Sequence, residues 1–426
     1  MKHLNILLLL GVSITGLHGA TGALDVRFGN DGVVVTDFVG GEDVSYALAT
    51  DPRGRLLAAG VSQGLEGNAL AVARYWSDGS LDATFGPGGK VRVDVAADDD
   101  QAAAVGVSPS GRIAIAGYSR FPSGQFDAVI AVLTSDGRLD PTFGSNGIVT
   151  TDFGTHYNSI GHLYFLPDDR IVVAGARVAN VDTPTEHSEF VLARYLTDGS
   201  LDPSFGIGGL VLPDLPLSEI ALAPGGDIVA VGNPYDATGS RILLARFTRD
   251  GQLDPAFGDA GTVTTPGPTG AYFYNVALTK GGDILVGGVT VRRDANFYDP
   301  AVVRFTRRGE IDPSFGMDGV ATAPVAGDRS MAVMAIAASH DGGVVAAGFT
   351  YGNYPVNESF AVAVFDRHGR PDSTFGSGGA AVTSIGSRAE AKGLALLAGG
   401  GIVLSGFSDA PNTNQRDFAL ARYVRK

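Results

Sequence analysis

The phrase Asp-x-x-Phe-Gly-x-x-Gly occurs seven times in this 426-residue chain. Its aspartates are Asp25, Asp82, Asp140, Asp202, Asp254, Asp312 and Asp372, and its phenylalanines are Phe28, Phe85, Phe143, Phe205, Phe257, Phe315 and Phe375. Leu or Ile precedes the aspartate in every copy but the last, where Pro371 stands. The first glycines of successive copies, Gly29 to Gly376, are 57, 58, 62, 52, 58 and 60 residues apart. A period of that size belongs to a solenoid, a propeller or another array of repeated units.

Each period carries four strand signals. In the first they are Val44–Ala49, Leu56–Gly60, Leu70–Tyr75 and Val91–Val95, short runs bounded by Gly, Pro and Asp. That is strand punctuation, and outside the N-terminus no stretch keeps a 3.6-residue apolar period. The second run is apolar almost throughout, as at Ile171–Ala174, Ile228–Val231 and Ile402–Leu404, so it needs cover on both faces. Four short antiparallel strands per unit, stacked on neighbours, describe a β-propeller.

The ends of the chain favour a ring over an open array. The first phrase is followed by a lone fourth-strand signal, Val33–Phe38, and the chain stops after a third-strand signal, Phe418–Val424. The remnants add up to one blade, and no polar capping repeat is present. The expected fold is all-β: a seven-bladed β-propeller of four-stranded antiparallel blades, with the N-terminal strand completing the last blade and leaving no open edge.

In the phrase, the aspartate is expected to accept hydrogen bonds from amides two residues on, the glycines to adopt turn angles, and the phenylalanine to fill the space between blades. Arg74, Arg194, Arg246, Arg304 and Arg422 precede it in five copies, and Val132 and Val364 in two. No Asp-x-Asp-x-Asp-Gly loop accompanies it, so calcium is not expected there. The phrase resembles the delta-60 repeat, a bacterial propeller repeat of largely unknown function, from Leu24 to Lys426. It is also similar to NHL-type propeller repeats, in which a run like Gly226–Gly232 marks the second strand. The resemblance implies a fold and export, with no reaction and no catalytic residues.

Met1–Lys2–His3, the apolar run Ile6–Leu17 and the small residues Gly19, Ala20, Gly22 and Ala23 follow the pattern of a secretory signal. Cleavage is expected after Gly22 or Ala23, giving a signal over 1–23, a propeller over 24–426 and a periplasmic or extracellular protein. The run is too short to span a membrane as a helix. With 45 acidic against 31 basic residues the net charge is −14, which argues against nucleic acid as a partner. The absence of cysteine excludes disulfides, thiolate metal sites and thiol nucleophiles.

Catalytic motifs are weak. Gly60–Val61–Ser62–Gln63–Gly64 matches the nucleophile pattern Gly-x-Ser-x-Gly, but a strand–turn–strand context does not make a nucleophile elbow. His156 and His162 alone do not make a metal site, and no cofactor or metal is expected. A lone Trp76 weighs against propellers built on repeated Trp motifs. One face of a propeller is occupied by the repeated phrase, whereas the other carries loops that differ in every blade, with Phe121, Tyr235, Phe297, Tyr298, Tyr351 and Tyr354 on them. The candidate ligand-binding residues stand at the starts of first strands on that face: Asp43, Tyr46, Asp99, His156, Tyr157, Glu219, Tyr272, Tyr274, Asp328, Arg329, Glu390 and Lys392. The expectation is an exported, monomeric, non-catalytic module that recognises a protein or glycan through its irregular face. The alternative is a propeller hydrolase or lyase with acids and histidine at the channel mouth.

Overall fold

The structure is a computed structural model that describes residues 21–96, 99–179, 186–236, 239–268, 270–292, 297–325, 327, 329–352, 358–409 and 415–425. Nearly all of the expected export signal lies outside the described residues. Apart from one 3-10 turn at Pro87–Gly89, every regular element among the described residues is a β-strand.

The strands form four-stranded antiparallel sets. Asp43–Thr50, Leu56–Gly64, Gly67–Tyr75 and Lys90–Val93 pair in that order. The order recurs in Asp99–Val107, Ile113–Arg120, Phe126–Leu133 and Ile148–Thr151, and in Tyr157–Phe165, Ile171–Ala179, His187–Tyr195 and Leu210–Val211. It recurs again in Glu219–Leu222, Ile228–Gly232, Gly239–Phe247 and Thr262–Pro266, then in Tyr272–Leu278, Ile284–Val291, Tyr298–Phe305 and Val320–Thr322. Ser330–Ala338, Val344–Tyr351, Ser359–Phe365 and Ala380–Thr383 follow. Ala389–Leu396, Ile402–Asp409 and Arg416–Tyr423 take their outer strand from the other end of the chain, Val33–Thr36, with Val33 opposite Ala421 and Thr36 opposite Phe418. This is an all-β, propeller-like fold. First strands of successive sets are neighbours, and Asp43–Thr50 also neighbours Ala389–Leu396. The set that begins at Glu219 has a short first strand because Pro213 and Pro216, just ahead of it, bring no amide to a ladder.

Apolar cores lie between sets. Leu57, Leu70 and Phe85 pack with Ile113 and Val129 of the next set. Leu56, Tyr75 and Phe28 pack with Val403, Phe418 and Leu420. All seven phrase phenylalanines are fully buried.

The phrase aspartate is the hub of the joint in most sets; Asp372, in the copy preceded by Val364, accepts from the Thr374 amide and hydroxyl at 3.0 and 2.6 Å, with no ion pair among the described residues. Asp82 accepts from the Thr84 amide and hydroxyl at 3.0 and 2.6 Å, from Arg74 Nε at 2.8 Å and from Arg55 Nη1 at 2.9 Å. Arg74 also lies over the Phe85 ring at 4.4 Å and donates to the Ser135 carbonyl of the next set at 2.5 Å. Arg246 and Arg304 repeat this with Asp254 and Asp312, and reach the Arg307 and Arg367 carbonyls at 2.8 Å. Where Val132 replaces the arginine, Arg112 supplies the guanidinium to Asp140 at 2.9 Å. The phrase glycine adds a second tie: the Gly86 amide donates to the Asp136 carbonyl, and Gly144 to Asp198. Gly376 does the same to Thr21, at the start of the described chain, while Leu24 bridges Tyr423.

A second repeated feature sets the inner surface. The first strand slips register once in six of the sets, between Ser45/Ala47, Ala102/Ala104, Ile160/His162, Phe273/Asn275, Val333/Ala335 and Ala391/Gly393. Each such bulge re-aims one extra residue, including Tyr46, Tyr274 and Lys392. It also drives a first-strand carbonyl against the facing second strand. A Cβ on Gly117 would stand 1.9 Å from the Gln101 oxygen, and one on Gly406 1.8 Å from that of Glu390. Only glycine fits opposite the bulge.

Two substitutions test these joints by chemical denaturation. Phe143→Ala is expected to cost roughly 3–5 kcal/mol, as for a buried aromatic. Gly117→Ala is expected to cost roughly 3 kcal/mol or more by overpacking against backbone. Losses within 1 kcal/mol in either would contradict the wedge and bulge accounts.

Candidate functional site

The bulges bring charged and aromatic groups together on the face opposite the phrase. Glu390, buried at 6% exposure, lies between two cations: Lys392 Nζ at 2.7 Å and Arg388 Nη2 at 2.5 Å. Arg388 also bonds the Glu358 carboxylate. Lys392 stands 4.8 Å over the Phe349 ring. Burial disfavours charge at both acids. At Glu390 the Lys392 and Arg388 cations outweigh it and hold the carboxyl below its usual range. Glu358 is pushed up by burial and by the adjacent Glu390 charge, against the pull of Arg388.

Across this mouth lie Tyr46, Asp99 and Tyr118. The Tyr118 hydroxyl is 3.5 Å from Asp99 and 3.4 Å from Gln101, and Asn68 donates to Asp99 at 2.7 Å. Burial, with the Asp99 charge added, pushes the Tyr118 phenol up to about 12. Tyr46 is raised by burial, with the charges of Arg416, Glu390 and Asp99 acting on it. Of the sequence-predicted residues, Tyr46, Asp99, Glu390 and Lys392 therefore share one neighbourhood.

A second group lies along the first strands. Glu219 is pushed up to about 8 by burial, partly offset by the Val276 amide, and its charge acts on Tyr164 and Tyr274. His162 is pushed down to about 4 by burial, which keeps it neutral. The remaining predicted residues are more dispersed. Tyr157 is exposed and stacks on Phe126 at 4.9 Å, with His156 edge-on to it at 5.0 Å. Tyr272 faces Tyr298 at 6.3 Å. The Arg329 carbonyl accepts from Arg292 at 3.2 Å. Asp43 is fully buried beside Asp37 and Asp417. Asp328 and Tyr354 lie outside the described residues. Ser62, the candidate nucleophile, is buried inside the strand Leu56–Gly64.

Tyr118, Arg388 and Glu358 were missed as members of the mouth. The usable signal was spacing: Arg388 lies two residues before Glu390, on the same side of an extended strand. The largest concave spaces described lie away from this mouth. A cavity of 600 Å³ lies at the far ends of the first strands, lined by Pro52, Pro109, Pro167 and Pro224 among others, and one of 550 Å³ is lined by Arg170, Arg194 and Arg249. In the second cavity Arg170 and Arg194 are already engaged with Asp202 at 2.8 Å.

Known proteins agree with this architecture. A family model described as a domain of unknown function (DUF5122) beta-propeller matches residues 54–85, 108–143, 166–205, 224–257 and 282–315, which supports a propeller repeat family. No curated protein matches the sequence. Among solved structures, the polysaccharide lyase Uly1 is similar over 96% of this chain and 93% of its own, at 11% identity and a TM-score of 0.52. The β-propeller domain of the Trilobed protease from Pyrococcus furiosus is similar over 91% and 95%, at 10% identity and a TM-score of 0.49. Virginiamycin B lyase from Staphylococcus aureus, solved with quinupristin, is similar over 91% and 98%, at 12% identity and a TM-score of 0.47. At such identities the first likeness speaks for the fold alone. Among the described residues, no helix is long and apolar enough to cross a membrane.

The raised Glu219 predicts a pH dependence. Its folded-state pKa lies above its unfolded value, so the unfolded chain loses this proton first as pH rises. The contribution to stability is then most favourable near pH 4.5 and falls until about pH 8. The side chain keeps some solvent contact, so the loss is discounted to roughly 1–3 kcal/mol. Thermal melts from pH 5 to 8.5 should show wild type losing more stability than Glu219→Gln. Parallel curves would contradict the burial of this carboxyl.

Proposed function

We propose that the chain is an exported, seven-bladed β-propeller of the delta-60 type, closed by its N-terminal strand, which recognises a protein or a glycan through the loop face. Closure is supported by the pairing of Val33–Thr36 with Arg416–Tyr423 and by the unbroken succession of neighbouring first strands. Export rests on the signal pattern in the sequence, with the mature chain beginning near Leu24.

The observation that carries the recognition reading is the mouth formed by Glu358, Arg388, Glu390 and Lys392 on one side and Tyr46, Asp99 and Tyr118 on the other. It mixes fixed charges of both signs with aromatic hydroxyls on a rigid sheet frame, a combination suited to polar, ring-bearing or peptide ligands. Glu390 is clamped by two cations and held ionised, which suits orientation of a ligand better than donation of a proton. The lyase or hydrolase reading draws on Glu358, whose raised carboxyl beside Glu390 would serve as an acid.

Binding to arrays of acidic and neutral polysaccharides and of peptides tests this. A double variant, Tyr118→Phe with Lys392→Met, should weaken binding of the captured ligand at least about tenfold. Arg249→Ala on the opposite face should change it less than about twofold. The reverse pattern would overturn the placement. Shortening of a bound polysaccharide by wild type, lost in Glu358→Gln, would replace the recognition reading with the enzymatic one.

A further inference from the structure

Arg416 opens the third strand Arg416–Tyr423, at the mouth side of the fold. Its guanidinium lies over the Phe407 ring at 4.9 Å, and that of Arg388 lies over the same ring at 5.6 Å. Phe407 is buried with Val44 and Val61, and Tyr46 packs against the three, so Arg416 and the Tyr46 phenol flank one apolar cluster. Among the described residues, the Arg416 guanidinium makes no ion pair and no hydrogen bond, and the Tyr46 hydroxyl has no hydrogen-bond partner. Asp409 stands opposite Arg416 in the strand pair but accepts from the Ser387 hydroxyl at 3.2 Å. The corresponding places in the other sets hold Asn68, Phe126, Ser188, Ser240, Tyr298 and Glu358, so the repeat does not require a cation there.

The other cations of the mouth are already committed. Lys392 and Arg388 are both held by Glu390, and Arg388 by Glu358 as well. Arg416 is the cation there that no carboxylate has claimed. A guanidinium resting on an aromatic ring keeps its N–H donors around its edge, in the fork that matches a carboxylate. Burial, with the charges of Glu390, Asp99 and the exposed Glu42 added, raises the Tyr46 phenol against the pull of Arg416, so it stays a hydroxyl and can donate to the same anion. Acceptors stand on the other side of Tyr46. Asp99 and Gln101 lie 3.5 and 3.4 Å from the Tyr118 hydroxyl, and the Asp99 charge reaches Tyr46. These oxygens suit hydroxyl donors and repel a second anion.

We propose that Arg416 and Tyr46 bind the carboxylate of a uronic-acid glycan, whose ring hydroxyls donate to Asp99 and Gln101. The assignment rests on the recognition reading of the mouth and narrows it to one ligand class. A uronate carries its carboxylate and its hydroxyls on one rigid ring, which matches donors and acceptors set on either side of one phenol by paired strands. A neutral glycan would leave the Arg416 donors unspent. An acidic peptide would bring its charges without the hydroxyls, and Asp99 would repel the second of them. The Phe407 face favours Arg416 in this role, because a guanidinium is weakly hydrated and stacks on aromatic rings, so less water is stripped from it when the carboxylate arrives.

The test is calorimetric titration of the whole purified protein with galacturonate, mannuronate, guluronate and glucuronate oligomers, and with the same oligomers after reduction of their carboxyl groups. At least one oligouronate should bind, and its carboxyl-reduced form should bind at least about tenfold more weakly, as for a lost charge-assisted contact. Arg416→Gln should weaken the oligouronate by a similar factor of about ten, change the carboxyl-reduced form less than about twofold and leave the melting temperature unchanged. Arg416→Lys should recover part of the affinity, because the charge returns without the fork. Added salt should weaken the oligouronate more in wild type than in Arg416→Gln. No oligouronate bound, or one bound equally by wild type and Arg416→Gln, would overturn the proposal. Capture of a neutral glycan or a peptide in its place, weakened by Tyr118→Phe with Lys392→Met, would overturn the uronate and keep the recognition reading. Oligouronate binding lost in Arg249→Ala and kept in Arg416→Gln would overturn both.

Discussion

At most joints the fold depends on an ion pair placed where one sheet meets the next, most deeply buried at Asp82 and Asp202. A carboxylate and a guanidinium taken out of water lose several kcal/mol of solvation each, and their mutual attraction offsets that only when the remaining donors and acceptors are also satisfied. The phrase meets this condition. At Asp202, burial alone would raise the carboxyl, but Ser204, Arg170 and Arg194 together hold it far below the usual range. Arg194 spends its remaining donors on Ser204 and on the Arg249 carbonyl of the next set. The aspartate thus positions the arginine, and the arginine positions the neighbouring sheet. The phenylalanine under the guanidinium, 4.8 Å from it at Phe205, seals the joint from water.

Using one face for these joints leaves the other free to vary. The bulge in the first strand, matched by the glycine opposite it, brings Tyr46, Tyr274 and Lys392 to that variable side without breaking the ladder beyond them. The mouth therefore inherits rigidity from backbone geometry, while its chemistry comes from single side chains that differ from set to set. The acid corner at Asp43 follows the same logic. The backbone place is common to several sets, and the residue type there decides whether a carboxylate, as at Asp43 and Asp100, or an amide, as at Asn158, accepts the facing backbone amide.

Much of this was legible in the sequence, because the repeat aligned the chain with itself. The phrase marked each joint, and apolar runs marked the strands to within a few residues, as with Val33–Thr36 inside the expected Val33–Phe38. The structural role expected of the phrase aspartate agrees with its bonds to Thr84, Thr142 and Ser204. Its second partners, Arg55, Arg112 and Arg170, were not legible. They precede the second strand, and its antiparallel pairing with the third, Leu56 opposite Tyr75, Ile113 opposite Leu133 and Ile171 opposite Tyr195, brings them to the aspartate. The bulges were not legible because the first strands are short and rich in small residues, as in Asp43–Thr50 and Asp99–Val107, so the phase shift that one inserted residue causes in a two-residue alternation leaves little trace. Contacts between distant parts of the chain were hidden most completely. Asp43 and Asp417 are joined only by the meeting of the chain ends, and Glu358 and Arg388 belong to adjacent sets.

Amide hydrogen exchange tests the central claim, that the strand pairing between the chain ends holds as firmly as the pairings within the chain, although Arg422 Nε stands 3.4 Å from Asp25, which Arg27 engages instead. The Arg422 amide donates to the Gly32 carbonyl at 3.0 Å, across the pairing of the two termini. The Arg194, Arg246 and Arg304 amides donate to Gly209, Gly261 and Gly319 at 3.0, 2.9 and 3.1 Å in the corresponding places of other sets. If the ends are fastened as the other joints are, all four amides exchange together, through one cooperative opening of the whole fold. Exchange of Arg422 at the rate of an open sheet edge, with the other three still protected, would contradict the account.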